Sequence, residues 1–231
     1  MSYLVEAIGI ALKMLFSADP TVLEIAMRTM LIALASTAIA SLISVPLACF
    51  IHFNIFPGKR LLIGFIQTMY SVPTVFIGMM VFLLVSRSGP LGPMGLLFSP
   101  GAIIIGEVLL IGPIIVGLAI SALQNTGKAL EETALALGAT KFTMMLKVLS
   151  EAKYSVLTSI LMGFGRAVSE VGVAIMVGGN ISGYTRTLTT AIALGVGKGE
   201  TAISIALGMV LLLLAMLVSL LVNFIQHSEK K

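Results

Sequence analysis

Residues 124–155 read QNTGKALEETALALGATKFTMMLKVLSEAKYS. The stretch is too polar to sit in a bilayer, yet an apolar run of roughly 20 residues, the length a spanning helix needs, flanks it on each side. It is also no random linker. Ala129 to Leu137 are strong helix formers, and Glu131 and Glu132 stand near the start, where acids suit the helix dipole. Gly138 breaks this helix. Thr140 then caps a second one beginning near Lys141 and carrying Phe142, Met145, Leu146 and Leu149 as an apolar stripe. A helix–Gly turn–helix between two spans, with apolar residues left over, invites docking by a partner protein. The plainer reading is an inter-span loop with two amphipathic pieces.

Outward from that segment the chain is apolar. Of 231 residues 58% are hydrophobic and only 10% are charged, too few to coat a soluble globule. The same figures exclude disorder. An all-α integral membrane protein is expected, a single transmembrane domain over residues 1–231. Five spans are predicted, at about 25–51, 61–85, 102–123, 156–177 and 202–225. Residues 3–16 are short and carry Glu6 and Lys13, and Pro20 stops them. The segment 1–20 is therefore expected to lie in the membrane interface or to span it partially. It lacks the basic start and cleavage site of a signal peptide. Six residues follow Ile225, so no C-terminal regulatory domain is expected.

Orientation follows from lysine and arginine in the loops. Lys59, Arg60, Lys128, Lys141, Lys147, Lys153, Lys230 and Lys231 fall on one side, against Arg87, Arg186 and Lys198 on the other. The first side is expected to be cytoplasmic, together with the C-terminus. The basic residues never form a long run, so nucleic acid is not an expected partner. Pro46, Pro73 and Pro113 lie inside predicted spans. Each is expected to kink or break its span, which a membrane protein tolerates where neighbours or a water-lined cavity take up the freed backbone groups.

The fourth span contains Gly163-Phe164-Gly165-Arg166-Ala167-Val168-Ser169-Glu170-Val171-Gly172. Arg166 and Glu170 are four apart and share a face if the helix is continuous. Ionisable groups inside a span face protein or water. Two readings stand: a structural Arg–Glu pair holding the bundle, or a charge lining an anion pathway with Ser169 as a hydroxyl donor. Glu107 in the third span is a third intramembrane charge, expected to join the same network.

Glu132-Thr133-Ala134, then Gly138, then Val148 resembles the signature loop of the permease subunits of ATP-binding-cassette (ABC) importers, with Thr133 replacing an alanine of the usual triplet and Ser150-Glu151 replacing its usual Leu-Pro end. Residues 165–172 resemble the molybdate/tungstate branch. Residues 176–190 and 86–92 look like its tungstate-type members. The resemblance covers nearly the whole chain and is weakest over the first 20 residues. It implies a type I importer permease fold in the prokaryotic cell membrane. Two copies would enclose the pathway, ATPase subunits would dock beneath, and an extracytoplasmic protein would deliver tungstate or molybdate. It makes 124–155 the coupling loop, with Glu131, Glu132, Ala134, Leu137 and Gly138 facing the ATPase. Arg87 and Arg186 become candidates for contact with the binding protein on the outer face.

The chain itself carries no phosphate-binding loop. Gly127-Lys128 is followed by Ala129, and Gly197-Lys198 by Gly199, where Gly-Lys-Ser/Thr is required. ATP and magnesium are thus expected on a partner subunit, with no cofactor or metal on this chain. The alternative is a secondary, ion-coupled anion transporter or channel using Glu107 and Glu170. An intramembrane enzyme is disfavoured. His52 and His227 are the only histidines, both near the same membrane boundary, and they suggest neither a metal site nor a catalytic pair.

Overall fold

The structure is a computed structural model that describes residues 8–10, 12–14, 16–17 and 19–228. Residues 8–10, 12–14 and 16 are helical, and the Ser17 N–H donates to the Lys13 carbonyl. The rest of the helix expected over 3–16 lies outside the described residues, as do Lys230 and Lys231.

Nine helices follow among the described residues. Helix α1, Pro20–Phe53, opens on an Asp19 cap whose carboxylate accepts from the Thr21 and Val22 amides, with Pro20 at the first helical position. Its buried face is built from small residues: Thr29, Ala33, Ser36, Ala40, Ser44 and Ala48 recur three or four apart. Small side chains let backbones approach closely, the way helices pack where lipid removes the hydrophobic drive. The face packs along α4, Pro100–Ala136. Leu31, Leu34, Leu42 and Phe50 point the other way and are exposed.

The second predicted span is not one rod. Helix α2, Lys59–Thr68, passes through a 3₁₀ turn, Met69–Ser71, and an extended Val72 into α3, Thr74–Val85. The two halves meet at 99°. Pro73 is the cause: it forces Val72 out of the helical region and itself caps α3.

Pro113 behaves differently. Helix α4 runs 37 residues straight through it, so the expected break is absent. The residue before it is Gly112, which has no Cβ to clash with the proline ring. The Gly112 carbonyl also accepts a hydrogen bond from Ser44 Oγ of α1, at 3.2 Å. Because α4 continues to Ala136, the helix expected over 129–137 is an extension of the third-span helix beyond the apolar stretch, which ends at Asn125, rather than a separate element.

Helix α4 ends in a turn at Gly138, with φ of 81°, and Thr140 caps α5, Lys141–Glu151, by accepting from the Thr143 amide. Helix α6, Lys153–Val168, and α7, Gly172–Gly178, occupy the predicted fourth span with a 58° bend between them. Residues 179–200 were expected as a loop. They contain α8, Leu188–Lys198, whose first residues, Leu188 to Ala191, are buried against its neighbours. Helix α9, Thr201–Ser228, packs on α8 and α6 and leaves Leu213, Leu217, Leu220 and Phe224 exposed.

By length and composition three helices can cross a membrane, five crossings in all if each bent pair counts as one. The main core lies between α1, α3, α4, α6 and α7, around Ala40, Val81, Ile103, Ile111 and Val173.

Candidate functional site

The break between α6 and α7 is held by one side chain. Glu170 Oε2 accepts from Arg166 Nη1 at 2.8 Å, and Glu170 Oε1 accepts from the Val173 amide at 3.0 Å. The carboxylate therefore closes an ion pair and caps the first turn of α7. Thr189 Oγ1 of α8 donates to the Glu170 carbonyl at 2.5 Å. The Arg166–Glu170 pairing expected from the four-residue spacing is present, but not on one continuous helix. Arg166 sits in the last turn of α6, where a cation complements the helix dipole, and Glu170 lies beyond the helix end.

Exposure separates the partners. The Glu170 side chain is 1% exposed and that of Arg166 is 35% exposed. Glu170 is structural. The Arg166 side chain stays partly exposed while pairing with Glu170. Ser169 is exposed next to it, although its hydroxyl donates to the Gly165 carbonyl at 2.8 Å. The single hydroxyl hydrogen of Ser169 is thereby taken, so the free donor expected at this position is not available, and what the surface presents is a cation half-neutralised by Glu170.

Glu107 does not line this surface. It is 3% exposed, with Oε2 unpartnered, and the Ser36 hydroxyl of α1 donates to the Ile32 carbonyl. It lies close enough to Glu170 to feel its charge, yet it has no bond to Arg166. The expected three-member network is a bonded pair with a buried acid alongside.

At the other end of the molecule, the coupling candidates divide. Glu132, Leu137 and Gly138 are exposed, and Leu137 is 83% exposed. Leu135, Phe142 and Leu146 extend this apolar surface. Ala134 is half-buried against the neighbouring core. Glu131 turns inward, with Oε1 3.0 Å from His52 Nε2 at the end of α1. The stripe read as Phe142, Met145, Leu146 and Leu149 is partly on the wrong face: α5 buries Met144 and Val148 and leaves Phe142 and Leu146 outside. No cluster of three or more metal-ligating side chains occurs among the described residues.

The two arginine candidates also part. Arg87 is exposed. Arg186 is engaged by its own loop: Nε donates to Asn180 Oδ1 at 3.2 Å and Nη2 to the Asn180 carbonyl at 3.4 Å. Its carbonyl accepts from Arg28 Nη1 at 3.3 Å, and Arg28 pairs with Glu24 one turn earlier in α1. That Glu24–Arg28 spacing was visible in the sequence as an i,i+4 pair near one end of a span. The His52–Glu131 contact had no such signal, because 79 positions separate its partners.

Comparison with known proteins agrees with this layout. The chain is 36% identical to the tungstate uptake system permease protein of Campylobacter jejuni over 231 residues, covering 100% of this chain and 95% of that one. It is 39% identical to the tungstate uptake system permease protein of Peptoclostridium acidaminophilum over 84% of this chain and 85% of that one. The sulfate transport system permease protein CysW of Escherichia coli K12 is more distant, at 28% over 77% and 63%. Among solved structures, the MetNI methionine ABC transporter in inward-facing conformations matches with a TM-score of 0.63 at 20% identity, covering 91% of this chain and 93% of that one. A bacterial alginate ABC transporter matches with a TM-score of 0.69 at 16% identity, covering 92% and 81%. Residues 44–231 match the family model described as binding-protein-dependent transport system inner membrane component. The bent crossings, the exposed turn at Gly138 and these matches agree: the chain belongs to the family of binding-protein-dependent transport system inner membrane components, as a permease subunit of the ABC-importer type.

Proposed function

We propose that the chain is the permease of an ATP-driven importer for tungstate, with molybdate as the second substrate. The carrying observation is the 36% identity to a tungstate uptake permease along the full 231 residues. Two copies form the pathway, with the broken crossing at Arg166 and Ser169 contributing its polar lining. Glu170 tempers Arg166, so the anion is guided and released, and affinity resides in an extracytoplasmic binding protein. Arg87, exposed on the loop after α3, is a contact for that protein. ATP and magnesium belong to cytoplasmic ATPase subunits that dock on Glu132, Leu135, Leu137, Phe142 and Leu146 around the Gly138 turn. The basic bias of Lys59, Arg60, Lys141, Lys147 and Lys153 supports a cytoplasmic location for that side and for the C-terminus. Leucines on the outside of α1 and α9 face lipid. The family match favours this reading over an ion-coupled transporter or channel.

Uptake into vesicles containing the permease, its ATPase and its binding protein tests the proposal. ATP-dependent accumulation of tungstate or molybdate, in preference to sulfate and phosphate, is expected. Accumulation of sulfate or phosphate alone overturns the substrate, and accumulation without ATP overturns the energy source.

A further inference from the structure

The Gly138 turn is tied to the end of α1 on both flanks. Before the turn, Glu131 Oε1 lies 3.0 Å from His52 Nε2. After it, Lys141 Nζ donates to Asn54 Oδ1 at 3.1 Å. His52 and Asn54 are two residues apart, and their own position is fixed locally. Lys59 Nζ donates to the carbonyls of both, at 2.6 and 3.2 Å, and Asn54 Nδ2 donates to the Phe50 carbonyl at 2.8 Å. The His52 side chain is 11% exposed and that of Glu131 27%, so water and salt screen the contact poorly.

The opposite end of α1 holds a different segment. Arg28 Nη1 donates to the Arg186 carbonyl at 3.3 Å, and the Leu188 amide donates to Thr29 Oγ1 at 2.9 Å. Residues 179–187 are therefore fastened to α1 just as the Gly138 turn is, at the far end. From Thr29 to His52 an α-helix rises about 35 Å. That is about the thickness of the bilayer's hydrocarbon core.

We propose that α1 is a strut that carries displacement of the Gly138 turn to the outer segment 179–187, and that His52 and Asn54 are the positioning residues that fasten the turn to it. The inference rests on the proposed function, in which ATPase subunits act on that turn. It gives Glu131 a different role from its neighbour Glu132. Glu132 faces the partner, whereas Glu131 passes the motion inward.

The test uses the full chain assembled with its ATPase and binding protein in vesicles, in a Cys49→Ala background with Ser182→Cys as a reporter on the outer segment. An impermeant maleimide reads the labelling rate with and without trapping by ATP and vanadate. The parent is expected to change its rate on trapping, and an unchanged parental rate overturns the strut. In His52→Ala and in Asn54→Ala more than half of that change should be lost, while the permease still assembles with its ATPase, stimulation of ATP hydrolysis by loaded binding protein weakens and anion moved per ATP falls. Exchanging the pair, His52→Glu with Glu131→His, should restore the parental change, and this variant decides the matter if His52→Ala assembles poorly. A parental response in both alanine variants, or an exchanged pair that assembles yet fails to respond, overturns the strut. Leu137→Asp separates the two levels. Loss of stimulation there with a parental response in His52→Ala removes the strut and keeps the docking site. Full stimulation in Leu137→Asp removes the docking site on which the strut depends.

Discussion

Thr29 and Leu188 are 159 residues apart, and one hydrogen bond joins them: the Leu188 amide, at the start of α8, donates to the Thr29 hydroxyl at 2.9 Å. The same hydroxyl donates to the Ile25 carbonyl at 2.8 Å, so its hydrogen and one lone pair are both used. Both residues are buried, at 4% and 0% exposed. Thr29→Val keeps the shape and strands a buried amide, at a cost of about 1–3 kcal/mol. Thr29→Ser keeps the bond. Thermal unfolding of the purified permease in detergent should show a clear fall for valine and little change for serine, and equal values for the two would contradict the bond's role.

Arg166 and Glu170 should not be equivalent in mutation. Arg166→Ala leaves a carboxylate in a site that is 1% exposed. Glu170→Gln in the same chain removes that stranded charge while leaving an oxygen to accept from the Val173 amide. A single truncation of a buried pair costs roughly 3–5 kcal/mol, and the partial exposure of Arg166 brings the expectation down to about 2 kcal/mol. The double variant is expected to be more stable than Arg166→Ala alone. A double variant less stable than the single one would count against a charged Glu170.

Gly138 adopts a φ of 81°, in the left-handed region. A Cβ there meets open space, so crowding is not the obstacle. Backbone strain of about 1–2 kcal/mol is, and asparagine bears it better than a branched residue. Gly138→Val should reduce stimulation of the ATPase with the α1–α9 bundle intact, and Gly138→Asn should preserve most of it. Stimulation at parental level in the valine variant would detach the turn from coupling.

Sidedness is testable in a Cys49→Ala background. Lys141→Cys should react with impermeant maleimide only after permeabilisation, and Tyr184→Cys in intact cells. Labelling of Lys141→Cys from outside would invert the whole arrangement.

Features with a local cause were readable in the sequence. Thr140 and Gly138 announce themselves because caps and turns depend on a few adjacent residues, whereas Asp19-Pro20 reads in the sequence only as the stop of the segment before it and in the structure also opens α1, five residues ahead of the expected span. Helices α1 and α9 are continuous apolar runs. Features decided by neighbours were not readable. Pro113 looks like a helix breaker, yet α4 continues through it, with Gly112 beside it relieving the Cβ clash and bonded to Ser44. The break after Val168 looks like continuous helix, because Ser169, Glu170 and Val171 carry no breaker. The bend depends on Glu170 finding the Val173 amide and on Thr189 arriving from α8. Helix α8 itself was overlooked because its opening Leu188-Thr189-Thr190 is a poor helix start by propensity, rescued by the reciprocal Thr187–Thr190 cap.

The contact between Ser44 and Gly112 has a mechanical consequence. It sets Pro46 of α1 and Pro113 of α4 at the same height, so the two long helices are weakened side by side. A pair of beams notched at one level flexes there without sliding past each other. Sideways swing of the Gly138 end is absorbed at that level. Thrust along the axis is not, because both rods are continuous through it. Ala136, the last residue of α4, lies 23 residues beyond Pro113, about 35 Å of helix, so a flexure of about 5° already sweeps the tip through about 3 Å. In the proposed strut, lateral force would therefore be taken up at the level of the two prolines and axial force carried past it.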